Sequence, residues 1–406
     1  MQDKRVVITG VGIVSSIGIG REIFWKNLTA GKSGISEVGL FDTSRYENHK
    51  GGEVKDFVPS DFIDERKISL FGRGSQFVIA AAKMAIKDAG IDIVNLDKSR
   101  LGAIIGTTMA DAQRIEEIDK TWIEMSEKDV DSRLIPQYPG SVLASNLGFE
   151  LGLEGPVMSI PTACSAGNYA IGYSLDLIRK GRVDYMLAGG SDPFSRIAFT
   201  GFNRLFAVAP ERCQPFDKNR KGMMVGEGSG VVFMESLEHA AKRNANIYAE
   251  VLGYAISCDA HHMTAPSVDG IKQVMTKAIN NAGMKKEDVG YISAHGTGTP
   301  ANDKAECQAM KEVFKGFYKD IPMSSIKSML GHTMGAASAI ETIACCLAIL
   351  KGIIPPTINY ETPDPDCDID CVPNTARKRD IKIALNNSLA FGGNDACLVL
   401  GKYGGA

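Results

Sequence analysis

The chain predicts a layered α/β protein made of two related halves, on three observations. Short β-branched runs alternate with longer helix-forming stretches along its whole length, the pattern of sheets covered by helices. At 406 residues it exceeds one small core, which points to two or three domains or to one large domain with internal duplication. The stretch from Cys164 to Gly181 opens on small residues, continues as an apolar helix and closes Arg-Lys-Gly; Gly335 to Gly352 repeats that seventeen-residue span and closes Leu-Lys-Gly. Any two buried helices of an α/β protein share part of this likeness, so pattern alone leaves duplication and coincidence both open.

Strands are predicted at residues 6–9, 101–106, 185–190, 230–234, 289–293 and 381–386, and helices at 75–89, 166–180, 270–282 and 335–351. The divide between halves falls near 245–254, giving units 1–245 and 246–406. Residues 6–20 superficially resemble a signal peptide, but Val6, Val7 and Ile8 are β-branched and Gly10, Gly12, Gly18 and Gly20 punctuate the run, so a buried strand and a glycine turn fit better. The apolar run 340–354 contains Glu341 and Lys351 and is too short and too charged to span a bilayer. The loop 355–373 is rich in Pro and Asp and reads as surface.

Apolar residues make up 44% and charged residues 23% of the chain, which argues against long disordered tracts. A net charge of −3 gives no general electrostatic reason to bind nucleic acid or an anionic membrane. The nine cysteines are odd in number and lack paired spacing, which fits a reducing compartment and a cytoplasmic location.

Three turns carry residues suited to chemistry. Cys164 lies in Pro161-Thr162-Ala163-Cys164-Ser165-Ala166-Gly167, between a strand end and a helix start. The helix dipole and free backbone N–H groups there are expected to lower the thiol pKa and sharpen a nucleophile. A buried inert thiol is the ordinary fate of a free cysteine, and Cys164 alone does not separate the two readings. His295, in Ser293-Ala294-His295-Gly296-Thr297-Gly298-Thr299-Pro300, follows a predicted strand. His332, in Lys327-Ser328-Met329-Leu330-Gly331-His332-Thr333-Met334-Gly335, sits between a strand and an Ala-rich helix. With only six histidines in the chain, two in matching turns point to presentation rather than packing. His261 and His262 beside Asp259 lack the spacing of a zinc ligand set, so no metal is assigned. Arg66, Lys67 and Arg73 form a local basic cluster suited to an acidic partner, with a solvated charged segment as the alternative.

These motifs, with the turn Phe391-Gly392-Gly393, resemble those of β-ketoacyl carrier-protein synthases of the elongating kind, within the thiolase-like superfamily, and the resemblance covers essentially the whole chain. It implies a five-layered αβαβα fold of two pseudo-symmetric halves, usually dimeric, with a homodimer or a heterodimer with a related subunit both open. It implies decarboxylative condensation of an acyl group on Cys164 with malonyl carrier protein. Substrates would arrive on the phosphopantetheine of an acyl carrier protein, and no separate cofactor is expected. By the resemblance, His295 and His332 hold an enolate oxygen, and the N–H groups of Cys164 and Phe391 form an oxyanion hole. Lys327 and Glu341 form a supporting ion pair, Asp303 and Glu306 anchor the loop after His295, and Thr297, Thr299 and Thr264 contact the pantetheine arm. Phe391 and Gly392 belong to an acyl gate.

Two departures from the family pattern stand out. Ala390-Phe391-Gly392-Gly393-Asn394-Asp395 replaces Gly-Phe-Gly-Gly-Thr-Asn, and Ala390 has less backbone freedom than Gly. Thr107-Thr108-Met109-Ala110-Asp111 replaces a Gly-rich turn at the deep end of the acyl pocket, placing Met109 there. Fatty-acid elongation is the leading expectation, and a specialised polyketide or polyene ketosynthase, possibly paired with a chain-length-factor-like subunit, is the alternative. Cys164 with both histidines disfavours a chain-length factor itself and a decarboxylase-only member. His332 disfavours an initiating synthase, and Cys397 after Asp395-Ala396 does not match the second cysteine of a thiolase.

Overall fold

The computed structural model describes residues 4–404. Ten strands form its sheet framework: β1 (Val6–Ser15), β2 (Leu101–Gly106), β3 (Val157–Ile160), β4 (Tyr185–Asp192), β5 (Gly228–Ser236), β6 (Ala249–Cys258), β7 (Val289–Ser293), β8 (Met323–Ser324), β9 (Ile383–Ser388) and β10 (Asn394–Gly401). The helices that frame the site are α1 (Arg73–Asp88), α2 (Ala166–Arg179), α3 (Arg196–Arg204), α4 (Val268–Asn281), α5 (Pro300–Val313) and α6 (Ala337–Lys351).

The strand order is β3-β2-β4-β5-β1-β6-β10-β9-β7-β8, and its two ends mirror each other. In the first half β1 pairs antiparallel with β5, β5 antiparallel with β4, and β4, β2 and β3 run parallel. In the second half β6, β10, β9, β7 and β8 repeat that sequence of pairings, sense for sense. Only Val7–Glu250 and Ile8–Ala249 join β1 to β6.

Three apolar cores separate the layers. One lies between α1 and the first sheet, one between α4, α5 and the second, and the largest unites α2 and α6 with strands of both sheets. Helices outside, sheets, and a shared helix pair within make five layers, and strands buried on both faces read as continuous apolar runs. Residues 334–351 are long and apolar enough to meet a membrane-span criterion, with mean hydropathy 1.5, but 89% of that window is buried as this central helix.

The first strand runs past its predicted end at residue 9 through Ser15. Gly10 and Gly12, read from sequence as turn residues, instead let α1 lie against the strand: a Cβ on Gly10 would come within 2.1 Å of the Ala85 carbonyl oxygen, and one on Gly12 within 1.8 Å of that of Ala81. The repeat between residues 164–181 and 335–352 corresponds to like elements. A single 3₁₀ turn, Ala163–Ser165 or Met334–Ala336, opens each, with Ala163 at φ 51° and Met334 at φ 53°, and α2 or α6 follows.

Candidate active site

The N-termini of α2 and α6 meet at the centre of the molecule, and the turns entering them carry the chemistry. Sγ of Cys164 and one ring nitrogen each of His295 and His332 all lie within 4.8 Å of one another, and all three residues are buried. The imidazoles stand edge to face, centroids 5.4 Å apart. The Cys164 carbonyl is held by the Ser388 hydroxyl at 2.9 Å, and the Ser165 hydroxyl donates to the Asn394 carbonyl at 2.6 Å, so the nucleophile turn is tied to the segment carrying Phe391.

His295 is positioned by α5. Glu306 accepts the backbone N–H of His295 at 2.9 Å and of Gly296 at 2.8 Å. Asp303 accepts those of Gly298 at 3.1 Å and Phe216 at 2.9 Å. Both acids are fully buried, which replaces the alternative of a solvated helix face with the anchoring role.

Nδ1 of His332 accepts the Met334 N–H at 3.1 Å, so the neutral ring carries its proton on Nε2, which is buried and has no partner. Nδ1 of His295 is likewise buried without a partner. Burial first, and the Lys327 ammonium second, hold both imidazoles well below their ordinary pKa, so both are neutral. A His332 ring accepting on Nδ1 and protonated on Nε2 offers no lone pair toward Cys164, and the nearby ammonium repels cations. The trio is therefore poorly suited to a metal despite its ligand-like composition.

Lys327 and Glu341 form a buried ion pair behind the histidines. Burial pushes Glu341 up to about 7 against the pull of Lys327. The expectation for Cys164 is corrected here. Burial pushes its thiol up to about 12, outweighing Lys327, while Asp192 adds to the rise and the N–H groups of Cys164 and Phe391, which bond to the sulfur, oppose it. The resting nucleophile is a thiol. Those same two N–H groups are the pair to which the resemblance assigns an oxyanion hole; here they converge on the sulfur.

A cavity of about 60 Å³ opens in front of the trio, lined among others by Thr264, Thr297, Thr299 and Phe391. Phe391 forms one wall, its ring resting on Phe202 with centroids 5.8 Å apart.

Three sequence assignments are corrected. Gly392 does not line the cavity; its N–H instead donates to the Met263 carbonyl at 2.9 Å. Met109 is not among its lining residues either; the backbone of its turn is fastened to Asp192, which accepts from Thr107 Oγ1 at 2.6 Å and from the N–H groups of Thr108 and Met109 at 2.8 and 3.0 Å. Arg73 is no free surface charge: it forks onto the buried Glu227 at 2.7 and 2.9 Å. Of its companions, Lys67 pairs with Glu150 and Arg66 with Asp64. Asp192 escaped the sequence reading. It also accepts the Gly335 N–H at 2.6 Å and so links the two halves beside the histidines; an acid closing a buried Gly-Gly strand was the signal for it.

Comparison with known proteins agrees with this geometry. The model described as "Beta-ketoacyl synthase, N-terminal domain" matches residues 3–240, and "Beta-ketoacyl synthase, C-terminal domain" matches 248–361. The chain is 39% identical to nodulation protein E of Rhizobium sp. (strain N33), covering 98% of both chains. It is 38% identical to 3-oxoacyl-[acyl-carrier-protein] synthase 2 of Staphylococcus aureus (strain N315), covering 99% of both. Among solved structures, "The ishigamide ketosynthase/chain length factor" superposes with TM-score 0.96 at 44% identity over 99% of this chain and 100% of that one. A type II polyketide ketosynthase in complex with its acyl-carrier protein gives 0.91 at 37% over 98% and 100%. Full-length matches and a buried Cys-His-His trio at the meeting of two mirrored halves lead to one conclusion: the chain belongs to the beta-ketoacyl synthase family of acyltransferases.

Proposed function

We propose that the chain joins an acyl group held on Cys164 to malonyl carrier protein by decarboxylative Claisen condensation, in fatty-acid elongation. The observation that carries this reading is the convergence of Cys164 with two neutral imidazoles, one with an unused Nε2–H. Sγ attacks the acyl thioester while its proton passes to His295, which returns it to the departing pantetheine thiolate. The N–H groups of Cys164 and Phe391 hold the oxyanion. Malonyl carrier protein then loses carbon dioxide, and the electron pair of the broken bond becomes an enolate whose oxygen accepts from His332 and His295. Its carbon attacks the acyl-enzyme and expels the Cys164 thiolate, which takes up a proton from solvent, the one proton that the condensation consumes. Burial, with Lys327 behind it, keeps both histidines neutral, so they donate hydrogen bonds without carrying charge of their own.

A second reading, assembly of a polyketide or polyene chain beside a chain-length-factor-like subunit, is favoured by the 44% identity to a ketosynthase/chain length factor structure. In either reading β3 is the natural pairing edge for a second copy or a related subunit, since among the described residues it pairs only with β2.

Intact mass tests both. The chain is incubated with acyl carrier protein bearing saturated or polyunsaturated chains, then with malonyl carrier protein. An adduct on the native chain and none on Cys164→Ala, discharged by malonyl carrier protein, is the expected result, and the preferred chain chooses the pathway. A native chain that stays unmodified with every donor would overturn the reading.

A further inference from the structure

We infer that the hydroxyls of Ser165 and Ser388 are positioning groups that hold the N–H of Phe391 beside that of Cys164 to make one oxyanion hole; this rests on the condensation reading above. The two N–H groups belong to different halves of the chain, yet both bond to the Cys164 sulfur. Donors so distant in sequence need something to fix their spacing, because neither local turn supplies it. Two side-chain hydrogen bonds cross the gap. The Ser388 hydroxyl donates to the Cys164 carbonyl at 2.9 Å, with Ser338 farther from the same oxygen at 3.5 Å. The Ser165 hydroxyl donates to the Asn394 carbonyl at 2.6 Å, with the Thr162 carbonyl farther off at 3.0 Å. Ser388 and Asn394 stand three residues before and three after Phe391, so its turn is pinned at both feet to consecutive residues of the nucleophile turn.

Ser165 forgoes its ordinary bond to do this. A serine just before a helix normally accepts an N–H of the helix's first turn. Ser165 makes no such cap to α2, and the Asn168 N–H in that turn is accepted instead by Ser338 of α6 at 3.0 Å. The equivalent place before α6 is Ala336, whose side chain has no hydroxyl to offer.

Ser388 takes part in an exchange between the halves. It ends β9 as Asp192 ends β4, and Asp192 accepts the Gly335 N–H at 2.6 Å. The strand end of each half therefore holds the turn that opens the other half's central helix, Asp192 that of α6 and Ser388 that of α2. Both serines are fully buried, where water does not compete for their hydroxyls.

Ser165→Ala and Ser388→Ala test the assignment, and the second half already folds with alanine in the place of Ser165. Acylation of Cys164, whose tetrahedral intermediate puts its charge in the hole, is followed by intact mass after mixing with an acyl-pantetheine thioester. Its rate is expected to fall about 10- to 100-fold in each variant. Carbon dioxide release is then measured in a single turnover of the fully acylated chain with labelled malonyl carrier protein. The histidines carry that step, so its rate is expected to stay within about twofold of native. Attack on the acyl carbon needs the same hole, so part of the enolate is expected to take a proton from solvent and leave as acetyl carrier protein. Native acylation rates in both variants overturn the inference, as does equal loss of acylation and carbon dioxide release, which would make the serines merely structural; thermal midpoints register such a loss directly. A native chain that takes no acyl group overturns the condensation reading and the inference together, whereas a competent native chain beside equally competent variants overturns the inference alone.

Discussion

His332 works through one proton whose position its own turn dictates. Because the Met334 N–H occupies Nδ1, the ring keeps its hydrogen on Nε2 and presents it to the cavity. Replacing His332 with Leu removes that donor while leaving Cys164 and its oxyanion cradle in place. Carbon dioxide release from malonyl carrier protein is expected to fall about 100- to 1,000-fold. The acyl adduct on Cys164 should still form, and labelled carbon dioxide release beside intact mass distinguishes the two half-reactions. Cys164, His295 and His332 were legible in the sequence because each sits in a turn of small residues that packing does not require. The proton state of the thiol was not. The helix start argued for a lowered pKa, and burial of the sulfur reversed that, an effect that depends on neighbours distant in sequence such as Asp192 and Phe391.

At the scale of elements, α5 acts as a clamp on the His295 loop. Glu306→Gln replaces an acceptor of two backbone N–H groups with an amide that presents only one oxygen. Losing one charge-assisted hydrogen bond and weakening the other is expected to cost about 2–3 kcal/mol of stability. A lower thermal midpoint and slower carbon dioxide release with acylation preserved would show that the clamp positions His295; equal loss of both half-reactions would point to general unfolding. The central helices and most central strands were readable from periodicity. Elements without such a signal were not: β8 has two residues, β3 is a short strand with only partial burial, and β6 and β10, though long and central, mix apolar residues with Glu250, Gly253 and Ser257 or with Asn394, Asp395 and Gly401. The run of glycines in β1 misled for a related reason, since their purpose lies in the close approach of α1.

For the whole molecule, buried ionisable groups set an expected pH optimum of stability. Burial and Asp259 push Asp395 up to about 8, and burial pushes Asp192 up to about 6. An acid whose pKa is raised by folding holds its proton more tightly in the folded state, so stability falls as pH rises from the ordinary carboxylate range through the raised value. His295 and His332 act with the opposite sign. Their folded pKa values are lowered, so below about pH 6.5 the unfolded chain takes up protons that the folded chain refuses. Above about pH 6.5 the histidine contribution is complete while Asp395 and Glu341 still hold protons that the unfolded chain has lost, so stability is expected to decline from there toward pH 8. Thermal midpoints across pH check this, and Asp395→Asn should flatten the alkaline limb. By itself the sequence determined the α/β class and the family and singled out Cys164, His295 and His332, which the fold brings together, since these depend on residue type and local spacing. Only the tertiary structure decided that Arg73 is spent on Glu227, that Asp192 fastens the turn of Met109, that the resting thiol keeps its proton and that Phe206 stands exposed. Each of those outcomes turns on burial or on a partner far along the chain, and neither is encoded in local pattern.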